Sequence, residues 1–260
     1  MGKLSLLIPS FNDSRILEIL LELQNYSRQN LEVVIQDGGS SDKLLSEIKA
    51  LLKSSDKLIV EKDQGIFDAI NKGISNCSNE YILTIGTDDF VATESLQTII
   101  NKLNSDKEKV FFVPVTMVDP NSLKLIRYWP IRKFSRLRIF LGTQYPHFGL
   151  VAKSEIYKTL NFNTANKINA DYEFFYNLSG KLKKSDIGYI QDANVMMRLG
   201  GTSTRNITSI LSHQIIMIAF AFRTNPILLF GFCFKPFYKI QELVLGIIKK
   251  KDFYNRLNAK

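Results

Sequence analysis

Short apolar runs alternate with helically spaced apolar residues through the first 85 residues, and nothing else in the chain restricts its fold as strongly. Leu4–Ile8, Leu31–Ile35, Leu58–Val60 and Tyr81–Ile85 read as strands by length, apolar content and flanking turn residues. Between them, apolar residues recur three or four apart: Ile16, Leu17, Leu20, Leu21 and Leu23, then Leu44, Leu45, Ile48, Leu51 and Leu52, then Ile66–Ser75. Asn12 or Asp13 can cap the first of these helices. This order predicts an α/β fold, a mostly parallel sheet flanked by helices on both faces. Ligands of such sheets bind beyond the carboxyl ends of the strands. The polar segments Ser10–Asp13, Asp37–Asp42, Glu61–Gln64 and Gly86–Asp89 are therefore expected on one edge.

Beyond residue 110 the pattern changes. Val110–Val115 and Tyr145–Val151 read as strands, Tyr172–Leu178 as a helix, and residues 124–138 as mostly loop or short helix. The apolar run at Leu4–Ile8 is cut by Pro9, too short for the core of a signal peptide. Ile215–Phe222 and Ile227–Phe234 are split by Arg223–Pro226, and neither reaches the roughly 18–20 residues that span a bilayer. Lys235, Lys239 and Lys249–Lys251 follow them. That composition reads as basic amphipathic helices lying on a membrane surface, or as helices packed on the core.

Hydrophobic residues make up 45% of the 260 and charged ones 23%, enough apolar area to exclude disorder as the main state. Two cysteines, Cys77 and Cys233, and two histidines exclude a disulfide scaffold and a four-ligand zinc site. The net charge of +9 is uneven: residues 1–123 carry 12 Lys+Arg and 18 Asp+Glu, residues 124–160 carry 8 and 1, and residues 223–260 carry 8 and 2. A basic rear half fits nucleic acid, anionic lipid or phosphorylated substrates, and charge alone does not choose among them.

Asp88 and Asp89 directly follow an apolar strand. Adjacent carboxylates repel, so the pair is costly unless a cation or a hydrogen-bonding ligand sits there. Hard oxygen ligands of this kind suit Mg2+ or Mn2+ shared with substrate phosphates; a solvated turn, or an N-cap for a helix over Glu94–Leu103, is the structural alternative. Asp37 also ends a strand. Neither the dinucleotide fingerprint nor the P-loop motif occurs, so the edge looks like a nucleotide pocket without either phosphate cradle.

Seven segments in order resemble the family 2 glycosyltransferases, nucleotide-sugar enzymes of the GT-A fold. They are Ile8-Pro-Ser-Phe-Asn12, Gln36-Asp-Gly-Gly-Ser-Ser-Asp42, Asp63-Gln-Gly-Ile-Phe-Asp-Ala-Ile-Asn-Lys-Gly73, Thr87-Asp-Asp89, Tyr145-Pro-His-Phe-Gly149, Ala170-Asp-Tyr-Glu-Phe174 and Gly200-Gly-Thr-Ser203, together covering about residues 3–205. The nearest likeness is to bacterial enzymes that build O-antigen or capsule repeat units on a lipid carrier. Thr87 stands where the family's Asp-x-Asp metal motif often has its first acid, so the match is to the shorter form with two adjacent acids.

The resemblance implies roles residue by residue. Pro9, Ser10 and Phe11 would line the base and ribose pocket, and Asp37 would accept a hydrogen bond from uracil. Asp63, Asn71 and Lys72 would face the nucleotide or its diphosphate, Asp88 would hold the ribose, and Asp89 would bind Mn2+ or Mg2+. Asp171 matches the family's general base. The chemistry needs one, because an acceptor hydroxyl must lose its proton as it attacks the anomeric carbon. Glu173, two positions on, points away from Asp171 if the segment is helical and is read as structural. The implied reaction is inverting transfer of a hexose, glucose or galactose, from a UDP-sugar to a lipid-diphosphate-linked saccharide at the cytoplasmic face of the bacterial inner membrane. Residues 1–210 would form the catalytic domain, with 1–109 its nucleotide-sugar half and 110–210 its acceptor half, and residues 211–260 a membrane-facing amphipathic tail.

Other residues carry two readings. His147 is a core histidine or lines the acceptor or diphosphate site. Gly200–Ser203, with Gly201 and Ser203 singled out, is a plain turn or a loop over the donor. Trp129 reads as a loop anchor, Cys77 as inert, and Arg127, Arg132, Lys133, Arg136 and Arg138 as a solvated face or a landing patch for a lipid diphosphate. Two other functions compete with the implied sugar transfer. A sugar-phosphate nucleotidyltransferase lacks support because Leu7–Asp13 is neither glycine-rich nor basic. The acidic front half argues against a basic nucleic-acid-binding protein, the remaining alternative.

Overall fold

The computed structural model describes residues 3–105, 107–140, 145–166, 170–198 and 222. Leu4–Ser10 (β1) and Leu31–Asp37 (β2) are buried along their whole length, as strands covered by helices on both faces must be. Between them Ile16–Glu22 (α1) buries Ile16, Ile19 and Leu20. Asp42–Leu51 (α2) follows, its first turn capped by Ser41, whose side chain accepts from the Leu44 N–H. Lys57–Val60 (β3), Ile66–Asn76 (α3), Tyr81–Thr84 (β4) and Thr93–Ser105 (α4) complete the front half. The strand order β3-β2-β1-β4 is parallel throughout, as the alternation predicts, and all four strands end on one edge.

The rear half extends the same sheet. Val110–Phe112 (β5) is followed by Val115–Val118 (β6), Leu125–Trp129 (β7), Arg136–Phe140 (α5), Leu150–Lys153 (β8), Ser154–Thr159 (α6), Ala170–Lys181 (α7), Ile187–Tyr189 (β9) and Val195–Arg198 (β10). The seven-stranded sheet runs β3-β2-β1-β4-β8-β5-β9, with β8 antiparallel to both neighbours. A second sheet of order β10-β6-β7 meets the first where Phe90 bridges Met196. α1, α2 and α4 cover one face with a core of Leu4, Leu6, Ile8, Ile35 and Leu83. α3, α5, α6 and α7 cover the other against Leu7, Val34, Ile82 and Phe112.

Three expectations for the rear half are corrected. The run Val110–Val115 is two strands, because Pro114 cannot donate to a ladder and the chain changes sheet there. Tyr145–Val151 is not one strand: Pro146 leads into a 3₁₀ turn at His147–Gly149, and the strand begins only at Leu150. The basic stretch 124–138 contains β7, whose Arg127 lies over Trp129 at 4.2 Å, two residues apart on one strand face. β9, β10 and α6 carried no readable signal. Trp129 packs partly buried against the first core, the anchor expected of it. Gly201, Ser203 and the tail 211–260 lie outside the described residues, apart from Phe222. No helix among the described residues is long and apolar enough to cross a membrane.

α3 lies directly on β1 and β2 at Gly73, where a Cβ would strike Leu7 and come within 3.1 Å of Gln36 Cβ. Gly73→Val is expected to destabilise the fold by about 1–3 kcal/mol through overpacking, read as a lowered Tm and denaturation midpoint.

Candidate active site

The first two loops are stapled together. Asp37, fully buried at the end of β2, accepts from the N–H groups of Gly39 (2.9 Å) and Ser40 (2.6 Å) on Oδ1 and from Ser40 Oγ (2.6 Å) on Oδ2. Ser40 Oγ in turn accepts from the Asn12 N–H, and Asn12 Oδ1 accepts from the Ser41 N–H. Asn12 takes φ 48°, a left-handed turn that Asn tolerates. The turn throws Phe11 outward, 62% exposed beside a polar edge. At Gly38 the absence of a side chain lets Phe11 and the Asp63 carboxylate close in from two sides. Ser10 Oγ, buried opposite Asp37 in the β1–β2 register, has no hydrogen-bond partner among the described residues. Pro9, Ser10, Phe11, Asp37 and Asp63 thus share one corner.

The acid pair occupies the adjoining corner at the end of β4. Asp89 is 4% exposed; its Oδ2 accepts from the Gly86 N–H at 3.0 Å, and it takes a further backbone bond from Arg198. Burial, and then the neighbouring Asp88, push its carboxyl up to about 7. Such a residue is no solvated turn. A Cβ on Gly86 would lie 2.9 Å from both Asp88 Oδ1 and Asp89 Oδ2, so the two carboxylates converge over the glycine. Arg15 reaches into this corner, bonded to Asp13 at 2.6 Å and paired with Asp88 at 3.5 Å. Asp13 also accepts from Thr87 Oγ1, and Arg15 beside it holds its carboxyl down at about 2.

Two oxygen donors over a glycine suit a hard divalent cation that takes its other ligands from water and substrate phosphate. Among the described residues no three His, Cys, Asp or Glu side chains group closely enough to hold a metal alone. The donor set therefore fits Mn2+ or Mg2+ shared with a diphosphate.

Two residues expected to face the nucleotide are committed elsewhere. Asn71 donates to the Phe162 carbonyl at 2.8 Å and accepts the Phe162 N–H at 3.0 Å, a clamp across 91 residues. Lys72 Nζ bonds the Lys62 carbonyl and pairs with Glu61 (2.8 Å) and Asp68 (3.3 Å). Lys72 thus braces the segment that carries Asp63, whereas Asn71 fastens α3 to the Phe162 loop.

Asp171 stands in the first turn of α7, half-buried, with Oδ1 accepting from the Tyr172 N–H. Burial pushes its carboxyl up to about 6. Glu173 turns to Asn163 and Asn166, the structural role expected. Phe162 stacks on Phe174 at 4.5 Å and meets the His147 ring edge-on at 4.8 Å. The Phe162 loop thereby gathers α3, the His147 turn and α7. His147 is buried, and burial pulls its imidazole down to about 4, which keeps it neutral; Nε2 has no partner among the described residues. Burial lifts the Cys77 thiol to about 12, as an inert cysteine requires. Nothing in the sequence alone marks Arg15 or Arg198; the signal available is the acid pair at 88 and 89, which calls for a cation.

The family model for glycosyl transferase family 2 matches residues 5–165. The chain belongs to that family, and its fold is the GT-A fold. An uncharacterized glycosyltransferase of Haemophilus influenzae is 26% identical over 209 residues, 78% of this chain and 82% of that protein. The GalNAc(5)-diNAcBac-PP-undecaprenol beta-1,3-glucosyltransferase of Campylobacter jejuni is 31% identical over 116 residues, 43% of this chain but only 38% of that protein. Residues 1–349 of S. aureus TarS in complex with UDP superpose with TM-score 0.58 at 17% identity, over 76% of this chain and 61% of that one. The likeness to TarS is one of fold.

Asn71→Ala would leave both backbone groups of Phe162 unpaired. A loss of about 1–3 kcal/mol is expected, measurable by denaturant unfolding.

Proposed function

We propose that the protein transfers a hexose, glucose or galactose, from a UDP-sugar to a lipid-diphosphate-linked saccharide, with inversion at the anomeric carbon. The observation that carries this reading is the convergence of Asp88 and Asp89 over Gly86, next to the corner formed by Phe11, Asp37 and Asp63. The UDP held by TarS and the lipid-linked acceptor in the name of the Campylobacter relative support it.

In this reading Phe11 offers its exposed ring to the base, with Pro9 and the unpartnered Ser10 hydroxyl beneath it. Asp37 accepts from uracil, Asp63 faces the nucleotide or its diphosphate, and Asp88 holds the ribose. Lys72 acts by holding the Asp63 segment, and Asn71 by holding the Phe162 loop. Asp89 would hold Mn2+ or Mg2+, which when bound would neutralise charge growing on the leaving diphosphate. Asp171 takes the proton of the acceptor hydroxyl as that oxygen bonds to the anomeric carbon. The bond from that carbon to the diphosphate breaks on the opposite side, and UDP leaves with the electron pair. One displacement with one base requires no covalent enzyme intermediate. His147, neutral beside the Phe162 loop, belongs to the acceptor side, and Gly201 and Ser203 to a loop over the donor.

Residues 1–210 are the proposed catalytic unit, with 1–109 its donor half and 110–210 its acceptor half. The basic segment 211–260 is proposed, on its composition, to meet anionic lipid at the cytoplasmic face of the inner membrane. Each Lys or Arg near such a surface contributes about 1 kcal/mol. Removing residues 211–260 is expected to weaken sedimentation with anionic liposomes more than it weakens UDP binding.

A base must be deprotonated to act, so kcat should rise through about pH 6, the raised value of Asp171, and level off above it. The folded-state value lies above the ordinary carboxylate value. Stability from this group is therefore present at low pH and lost as pH rises towards 6. Asp171→Asn should then be no less stable than the native protein above pH 6, yet release no UDP from UDP-sugar with a lipid-diphosphate acceptor analogue. Full turnover in that variant refutes the base assignment.

A further inference from the structure

The Asp88–Asp89 pair needs a counter-charge before any donor arrives. Like charges side by side, one of them buried, raise each other's cost. Arg198 gives Asp89 a backbone bond, but its guanidinium is turned to Glu18 at 2.8 Å. The cation that the described structure places on Asp88 is Arg15, the residue just before α1.

Arg15 holds its two partners unequally. Nε and Nη2 grip Asp13 at 2.9 and 2.6 Å, whereas Nη1 reaches Asp88 only at 3.5 Å, and the side chain is 44% exposed. Asp13 is itself fixed by Thr87 Oγ1, the residue before the acid pair. The guanidinium is therefore anchored at one end and loose at the other. It can release Asp88 without leaving the site. A pair this exposed and this long adds little stability, so packing alone does not account for it.

We propose that Arg15 is a resident counter-cation of the acid pair: tethered to Asp13, it holds Asp88 in the donor-free protein and yields it when a divalent cation enters with a nucleoside diphosphate. This rests on the glycosyltransferase reading. Arg15 is a positioning residue; it touches the acids, not the reacting atoms. Its displacement makes a cation alone a poor ligand and favours a cation that arrives with phosphate charge for Arg15 to face.

The test is Mn2+ binding to the full chain without donor, followed by the paramagnetic resonance of free Mn2+, for the native protein, Arg15→Gln and Arg15→Lys. Loss of the competing charge should tighten Mn2+ binding to Arg15→Gln about three-fold. Arg15→Lys, which keeps the charge, should stay near the native value. Thermal unfolding of each variant checks that the fold is intact. Equal or weaker Mn2+ affinity in folded Arg15→Gln, or equal tightening in both variants, overturns the counter-cation and leaves the enzyme reading standing. Absence of Mn2+ binding to all three proteins even with UDP present overturns the metal role of Asp89, and this proposal with it.

Discussion

Repulsion between Asp88 and Asp89 at the end of β4 organises the loops around it. The short strand delivers both acids to the edge, and the turn that follows buries one of them. Burial raises the cost of a second negative charge, and the surroundings answer with a glycine amide, a backbone bond from β10 and the guanidinium of Arg15. Each comes from a different part of the chain. The acid corner therefore depends on α1 and the second sheet closing over the same strand end.

The neighbouring corner solves a different problem. Asp37 is buried with no cation paired to it among the described residues, and three short hydrogen bonds from its own turn satisfy most of its acceptor capacity. The same hydroxyl that serves Asp37 also receives the Asn12 amide, which sets the outward turn of Phe11. One hydrogen-bonded polar loop thus positions an exposed aromatic ring and leaves the buried Ser10 hydroxyl without a partner among the described residues. A ligand meeting this corner finds its contacts already ordered, so little ordering cost remains to be met on binding.

Much of this was legible in the sequence, for stated reasons. The apolar runs at 4–8, 31–35 and 81–85 are strands buried on both faces, which leave the strongest local signature. Their polar ends were located correctly because a parallel sheet puts all such ends on one edge. Legibility failed where pairing is made by distant partners. Three- and four-residue strands such as β9 and β10 have no period to read, and β10 exists because Val115–Val118 accepts it alongside. Pro146 and Gly149 looked compatible with a strand and instead form a turn. Asn71 and Lys72 stand in a motif, yet their partners are the Phe162 backbone and the Glu61–Asp68 pair. Residue type alone does not reveal which hydrogen bonds a helix face will be offered.

By itself the sequence determined the α/β layering, the edge on which the polar strand ends gather, and membership of a glycosyltransferase family. Those follow from short-range periodicity and from residue types whose burial is costly without purpose. Tertiary structure alone decided that Asp89 is buried and Asp88 less so, that His147 is neutral, that Arg15 lies on the acid pair, and that Asn71 clamps the Phe162 backbone. These depend on desolvation and on contacts between residues tens of positions apart, and both arise only when the sheet edge is closed.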